Sequence, residues 1–274
     1  MSINKKTYIL LATYNGEEYL KEQIDSLLRQ THIDWILWIH DDNSKDNTVN
    51  IIKEYILEYP LKIKFLEDEI STRGSKENFT YLLNSIDDDY AYLMFCDQDD
   101  IWLENKIEFT LSKMKEVESS NPSKPVLIHT DLKVVDANLS TISESFFIYQ
   151  KIKPEWSKDF DMSLVQNSTT GCTMMINKKA KEISLPIGRN AIMHDWWILL
   201  RVLQNNGVVE FIEDSTMLYR QHSLNDVGAK GFSYLGLAKK IASLKKYYLM
   251  SKDLGLKLSI IEIIYIKIKR FLWY

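Results

Sequence analysis

The segment Tyr90–Asp100, YAYLMFCDQDD, limits the fold of this chain more than any other, because an apolar run stops abruptly at Asp97, Gln98, Asp99 and Asp100. An apolar run of this length reads as a buried strand, and open parallel sheets hold ligands just beyond the carboxyl ends of their strands. Carboxylates gathered at one mouth repel one another unless a cation neutralises them. Hard oxygen ligands suit Mg²⁺ or Mn²⁺, so the cluster points to a metal beside a phosphate-bearing substrate. An EF-hand calcium loop does not fit, since its fifth position needs a ligand and its sixth a glycine, and here these are Ile101 and Trp102. Capping of the next helix accounts for one acid but hardly for three.

The neighbouring segments predict the rest of such a sheet. Lys6–Ala12, Trp35–His40 and Leu61–Leu66 read as strands, and Glu17–Arg29 spaces Tyr19, Leu20, Ile24, Leu27 and Leu28 as an amphipathic helix. Ser44, Lys45 and Asp46 open a second helix running to about Glu58, and Lys76–Ser85 forms a third. Alternation at this spacing predicts an α/β fold, with a Rossmann-like, mostly parallel central sheet flanked by helices. The loops Thr13–Gly16, Asp41–Ser44 and Asp97–Asp100 then share one sheet edge. Downstream, Glu104–Glu118 and His194–Gln204 predict helices, and Val126–Thr130, Thr170–Ile176 and Val208–Ile212 predict strands.

The hydrophobic fraction of 45% and charged fraction of 26% in 274 residues describe a folded chain with room for a sizeable core. Two cysteines, Cys96 and Cys172, are too few for a disulfide framework or a thiolate metal site and suggest a reducing compartment. The opening MSINKKTYILLATYN lacks a signal-peptide pattern, and no apolar run has the length a membrane-spanning helix needs. A cytoplasmic protein is expected. Charge divides the chain: from Lys230 onward there are ten Lys and Arg against Asp253 and Glu262, leaving −12 on residues 1–229 within a total of −4. Two units are therefore expected, residues 1–228 and a basic amphipathic helical tail over 229–274. Two readings of the tail stand: an interfacial helix on an anionic membrane, or helices packed on the main domain with solvated lysines.

Several loop residues can carry chemistry, each beside a plainer reading. Thr13-Tyr14-Asn15-Gly16 can approach a nucleotide, or be an ordinary turn, and it lacks the glycine-rich pattern of a dinucleotide or Walker loop. His40-Asp41-Asp42-Asn43-Ser44 can accept hydrogen bonds from a base or ribose, or cap the next helix. Asp195, within Met193-His194-Asp195-Trp196-Trp197, is either a carboxylate raised toward general-base range by its apolar surroundings or an N-cap. In Tyr219-Arg220-Gln221-His222-Ser223, Arg220 can face a phosphate and His222 can ligate a metal, or both can serve local hydrogen bonds.

Together, ATYNGEEYLKEQIDSLLRQT, HDDNSKDNT, CDQDDIWLENKI, GCTMMINKKA, MHDWW and YRQH, in this order, resemble the family 2 glycosyltransferases of the A-type fold over about Thr7 to Asn225. DQDDIW with MHDWW and YRQHSLN is most similar to bacterial rhamnosyltransferase-type members that build surface polysaccharides. The resemblance implies a nucleotide pocket lined by Ala12, Thr13, Tyr14 and Asn15, and a contact from Asp42 to the base. It also implies a DXD motif at Asp97 and Asp99 that binds the metal, with Gln98 between them on the donor. His222 falls where some members place a further metal ligand, Arg73 and Asn78 in TRGSKEN are donor contacts, and Asp195 falls at the catalytic base.

The implied reaction is an inverting single displacement from a nucleotide-diphosphate sugar, dTDP-rhamnose or a UDP-sugar, to a hydroxyl of a glycan or polyprenyl-linked acceptor. Mn²⁺ or Mg²⁺ replaces the general acid, so one carboxylate suffices where glycoside hydrolases need two. Membrane contact through the tail at the inner face of the cell membrane would suit a lipid-linked acceptor, and no nucleic-acid partner is expected. Two departures stand out. The position before Asp195, commonly acidic in the family, is His194, and the Gln-x-x-Arg-Trp motif and membrane helices of processive members are not seen. The rival classes are a metal-dependent nucleotidyltransferase, which should carry a basic glycine-rich first loop, and an inactive membrane-surface binding module.

Overall fold

The computed structural model of the protein describes residues 6–68, 70–223 and 244–272. Its amino-terminal half is built on β1 (Lys6–Thr13), β2 (Trp35–Asp41), β3 (Ile63–Phe65) and β4 (Tyr90–Cys96), which pair in parallel in the order β3-β2-β1-β4. Parallel neighbours need crossovers, supplied here by α1 (Leu20–Leu28), α2 (Thr48–Glu58) and α3 (Ser75–Ser85). Successive strand residues face opposite sides, and both sides are covered. Ile9, Leu11, Leu37, Ile39 and Met94 pack with Leu20, Ile24 and Leu27 of α1 and Ile51 and Ile52 of α2. Tyr8, Leu10, Leu93 and Phe95 pack on the other face with Phe79, Leu82 and Leu83 of α3. Double coverage explains why these strands are apolar runs rather than alternating ones.

The second half adds β5 (Ile101–Trp102), α4 (Lys106–Ser120), β6 (Val126–Asp136), β7 (Thr141–Ser143), α5 (Phe146–Gln150), α6 (Phe160–Val165), β8 (Met175–Asn177), α7 (Lys178–Ser184), α8 (His194–Gln204) and β9 (Val208–Gln221). Among the described residues the sheet has nine strands, in the order β3-β2-β1-β4-β8-β6-β9-β5, with β7 on β6. β8 lies antiparallel between β4 and β6, β9 runs parallel to β6, and β5 is antiparallel to β9. Register sets Thr13 opposite Asp41 and Leu11 opposite Cys96, so the strands end together and their loops share one edge.

Three elements differ from the sequence expectation. β6 and β9 run well past Thr130 and Ile212, because polar residues that break the apolar pattern find hydrogen-bond partners inside. His129 Nε2 lies 2.9 Å from Ser157 Oγ, and the hydroxyls of Thr130 and Thr216 lie 2.7 Å apart. The segment expected as a strand over Thr170–Ile176 splits into a helical turn, Gly171–Thr173, and the short β8.

Of the tail, α9 (Leu244–Asp253) and α10 (Ile260–Leu272) are described, and the expected boundary at residue 228 lies outside the described residues. Tyr247, Met250, Leu254, Ile263 and Ile266 share a third cluster with Leu164 and Val165 of α6 and Trp197 and Leu200 of α8. These two helices pack on the main body, and Asp253 accepts hydrogen bonds from Asn190 N (2.7 Å) and Nδ2 (2.9 Å).

Candidate active site

The first two loops of the edge are stitched by side chains. Asn15, at φ 46°, donates its backbone N–H to Ser44 Oγ at 2.7 Å and accepts from Lys45 N at 2.8 Å through Oδ1. Gly16 N donates to Thr48 Oγ1 at 2.7 Å. Asp41 caps this turn, accepting from Thr13 Oγ1 (2.8 Å), Ser44 N (2.8 Å) and Ser44 Oγ (2.6 Å). Ala12 and Thr13 end β1 beneath this loop, and Tyr14 stands exposed above it.

Asp42 points to the 71–74 segment. Its Oδ1 accepts from Thr72 N (2.6 Å), Arg73 N (3.2 Å) and Ser71 Oγ (3.2 Å), and its Oδ2 from Gly74 N (3.0 Å). Burial opposes its ionisation, but these bonds outweigh burial and hold its pKa below the usual carboxylate range. Asp42 thus shapes the loop that presents Arg73, which is exposed at φ 61°. Asn78 is buried: its Oδ1 lies 2.8 Å from His40 Nδ1, and its Nδ2 donates to the carbonyls of Thr13 (3.3 Å) and His40 (3.4 Å). It ties the ends of β1 and β2 from below.

The acidic loop joins the edge through Gln98, whose amide makes two bonds to Tyr14: Oε1 accepts from Tyr14 N at 2.8 Å and Nε2 donates to Tyr14 O at 2.9 Å. Gly16 permits this, since a Cβ there would lie 2.4 Å from Gln98 Oε1. The acids divide into two groups. Asp99 Oδ2 lies 2.8 Å from His222 Nε2, whose ring stacks on Tyr19 with centroids 4.8 Å apart. Ligand atoms of Asp97, Asp100 and Cys172 all lie within 4.8 Å of one another.

Asp100 is no helix cap; α4 begins at Lys106 with Asn105 before it. It is fully buried, accepts from Arg220 N at 3.0 Å through Oδ1, and leaves Oδ2 without a hydrogen bond. Burial, then the charges of Asp99 and Asp97, push its pKa well above the carboxylate range. The unpaired buried oxygen of Asp100, grouped with Asp97 and close enough to Asp99 to feel its charge, offers hard carboxylate oxygens of the kind that fit Mn²⁺ or Mg²⁺.

Two basic residues behind this loop are structural. Arg220, 4% exposed at its side chain, donates from Nε to Asp99 O (2.9 Å) and from Nη1 to Ala137 O (2.9 Å), pairs with Glu22, and lies over the Tyr19 ring at 4.4 Å. Its fork is spent on holding the loop. Lys106 is fully buried and donates to Thr216 Oγ1 at 3.0 Å, and burial pushes its pKa down to about 8. Sequence reading missed it as more than helix content; a lysine on the apolar face of α4, beside Ile107 and Thr110, was the available signal.

Asp195 opens α8 as a buried carboxylate. Its Oδ2 accepts from Asn167 Nδ2 (3.0 Å) and Gly171 N (2.9 Å), and its Oδ1 from Trp196 N (2.6 Å). Burial outweighs these donors and pushes its pKa up to about 6, a range suited to a base. The turn Gly171–Thr173 links it to the acids: Gly171 bonds Asp195, and the next residue, Cys172, belongs to the group with Asp97 and Asp100. Gly171 allows the approach, since a Cβ there would stand 3.1 Å from His194 Nε2. His194 packs against Phe79 at 4.2 Å and Phe95 at 5.0 Å, and burial holds its pKa down near 3. An acid in that apolar setting would be costly, which accounts for the departure at this position.

A sequence-family model of glycosyl transferase family 2 matches residues 8–194. The chain belongs to glycosyl transferase family 2. The Shigella flexneri dTDP-rhamnosyl transferase RfbG is 30% identical over 227 residues, covering 80% of this chain and 74% of its own. The Escherichia coli UDP-Glc:alpha-D-GlcNAc-diphosphoundecaprenol beta-1,3-glucosyltransferase WfgD is 25% identical over 206 residues, covering 73% and 70%.

Solved structures show the fold of this family 2 transferase to be that of A-type glycosyltransferases. Staphylococcus aureus TarS residues 1–349 in complex with UDP-GlcNAc aligns at TM-score 0.60 and 19% identity, over 95% of this chain and 70% of that one. The mannosyltransferase PcManGT from Pyrobaculum calidifontis, in complex with GDP-Man and Mn²⁺, aligns at 0.59 and 12%, over 97% and 70%. Family membership sets aside the nucleotidyltransferase reading.

Proposed function

We propose that this glycosyltransferase is inverting, non-processive and metal-dependent, and that it moves a sugar, with rhamnose the first candidate, from a nucleotide diphosphate to a hydroxyl of a glycan or polyprenyl-linked acceptor in surface polysaccharide synthesis. One observation carries the reading: two adjacent residues of one turn touch both parts of the site, Gly171 N donating to the buried carboxylate Asp195 and Cys172 grouping with Asp97 and Asp100 at the sheet edge. A base beside a charge-binding centre is what single displacement of a diphosphate requires.

Each residue then has a part. Ala12, Thr13, Tyr14 and Asn15 face the nucleotide, and Gln98 holds Tyr14 in place. Asp42 acts through the 71–74 segment, presenting Arg73 toward the donor, and Asn78 fixes the strand ends. Asp97 and Asp99 would hold the cation, with His222 orienting or joining Asp99. When bound, the cation would supply positive charge for the departing diphosphate. Asp195 takes the proton from the acceptor hydroxyl as its oxygen attacks the anomeric carbon. The rhamnosyl donor is favoured by likeness to RfbG, and a lipid-linked acceptor by likeness to WfgD, whose name gives a diphosphoundecaprenol acceptor. The test is release of nucleoside diphosphate from dTDP-rhamnose, UDP-glucose and UDP-GlcNAc with Mn²⁺ or Mg²⁺. Release from dTDP-rhamnose above the UDP-sugars is expected, and absence of release from all three would remove the proposal's support.

A further inference from the structure

Helix α10 is built the wrong way round for a surface helix. Its inward face carries Ile263 and Ile266 together with two cations, Lys267 over the Tyr247 ring at 4.3 Å and Arg270 over the Trp156 ring at 5.0 Å. Its outward face carries Ile261, Tyr265 and Ile268, which are 77%, 68% and 52% exposed, at the i, i+4, i+7 spacing of one stripe. The helix is fixed in this orientation. Ser259 and Glu262 form a reciprocal cap, with Ser259 N donating to Glu262 Oε2 at 2.7 Å and Glu262 N to Ser259 Oγ at 3.2 Å, and the inward face is locked into the cluster with α6. Apolar side chains held in water at this spacing are a surface awaiting a cover.

The charge around the stripe indicates the cover. Lys245, Lys246, Lys252 and Lys257 are all exposed on α9 and the connection to α10, against exposed Asp253, which is bonded to Asn190, and Glu262, which caps α10. Over residues 244–272 there are seven Lys and Arg against Asp253 and Glu262, so the helical pair that bears the apolar stripe is also cationic. An exposed apolar stripe on a helical pair that also carries four exposed lysines matches a bilayer surface bearing anionic headgroups. Position agrees: α10 packs on α6, and two residues beyond α6 lies Asn167, which donates to Asp195.

We infer that α10 docks this protein on an anionic lipid surface through Ile261, Tyr265 and Ile268, bringing the Asp195 side of the cleft toward that surface. The inference rests on the lipid-linked acceptor reading for its choice of lipid over a second protein copy. The test is sedimentation of the full chain with vesicles of phosphatidylglycerol and phosphatidylethanolamine, beside neutral phosphatidylcholine vesicles, over a range of NaCl. Binding is expected on the anionic vesicles, weakened by salt, and about tenfold weaker or worse in Ile261→Ser/Ile268→Ser. Lys245→Glu/Lys246→Glu should lose binding without touching the stripe. Unchanged thermal unfolding and unchanged diphosphate release in solution show that these variants remain folded and active.

Equal vesicle binding by the stripe variant, no binding by the wild type, or a stripe-dependent dimer in light scattering would each overturn the inference. Failure of the vesicle assay with diphosphate release intact refutes the docking surface alone. Vesicle binding without diphosphate release refutes the transferase reading alone.

Discussion

Asp195 is a carboxylate whose burial cost is only partly offset by three donors, and that imbalance is what gives it a pKa of about 6. Since the base works ionised, transfer should rise with pH through about 6 and level off above, as the pH profile of kcat/KM would show. Asp195→Asn should keep donor binding by calorimetry and lower transfer by about 10²–10⁴; wild-type turnover would remove Asp195 from the chemistry. Arg220 makes a different kind of contribution. Its loss would orphan the carbonyls of Asp99 and Ala137 and strip the packing over Tyr19, so Arg220→Ala should lower unfolding free energy by about 2–4 kcal/mol in urea titration. A residue free to face a phosphate would show no such cost.

Among the elements, loops rather than strands decide the site, and they hold one another. Gly16→Ala would place a methyl group where Gln98 makes its two bonds to Tyr14, releasing the acidic loop from the nucleotide loop. Affinity for nucleoside diphosphate should then fall about tenfold by calorimetry, a loss on the scale of one or two hydrogen bonds. The parallel half of the sheet was legible in the sequence because both faces are covered, leaving unbroken apolar runs at β1, β2 and β4. In the far half the starts of β6 and β9 and the whole of α8 were legible, but the strand ends were not, since β6 carries His129, Thr130 and Asp131 inside, bonded to partners distant in sequence such as Ser157, Thr216 and Ser145. The short helices α5, α6 and α7 lie in weakly patterned sequence and were not read. For the site, residue types at the sheet edge were readable, while the partners of Asp42, Asn78 and Arg220 depend on tertiary approach that no local pattern encodes.

As a whole, the molecule is an acidic body against which a basic helical pair packs. Truncation at residue 243 would uncover Trp197, Leu200 and Leu164, so unfolding free energy should fall by more than about 3 kcal/mol in chemical denaturation. Stability unchanged on truncation would mean the helices do not complete the core. The account turns most on the sheet edge being a cation-dependent site for a sugar nucleotide. Calorimetric titration of dTDP-rhamnose and UDP-sugars into the protein, with and without Mn²⁺, addresses it directly. Saturable binding that needs the ion and is lost in Asp97→Asn and Asp99→Asn is expected. Failure of every sugar nucleotide to bind with Mn²⁺, or binding unaffected by the ion and by both substitutions, would contradict it.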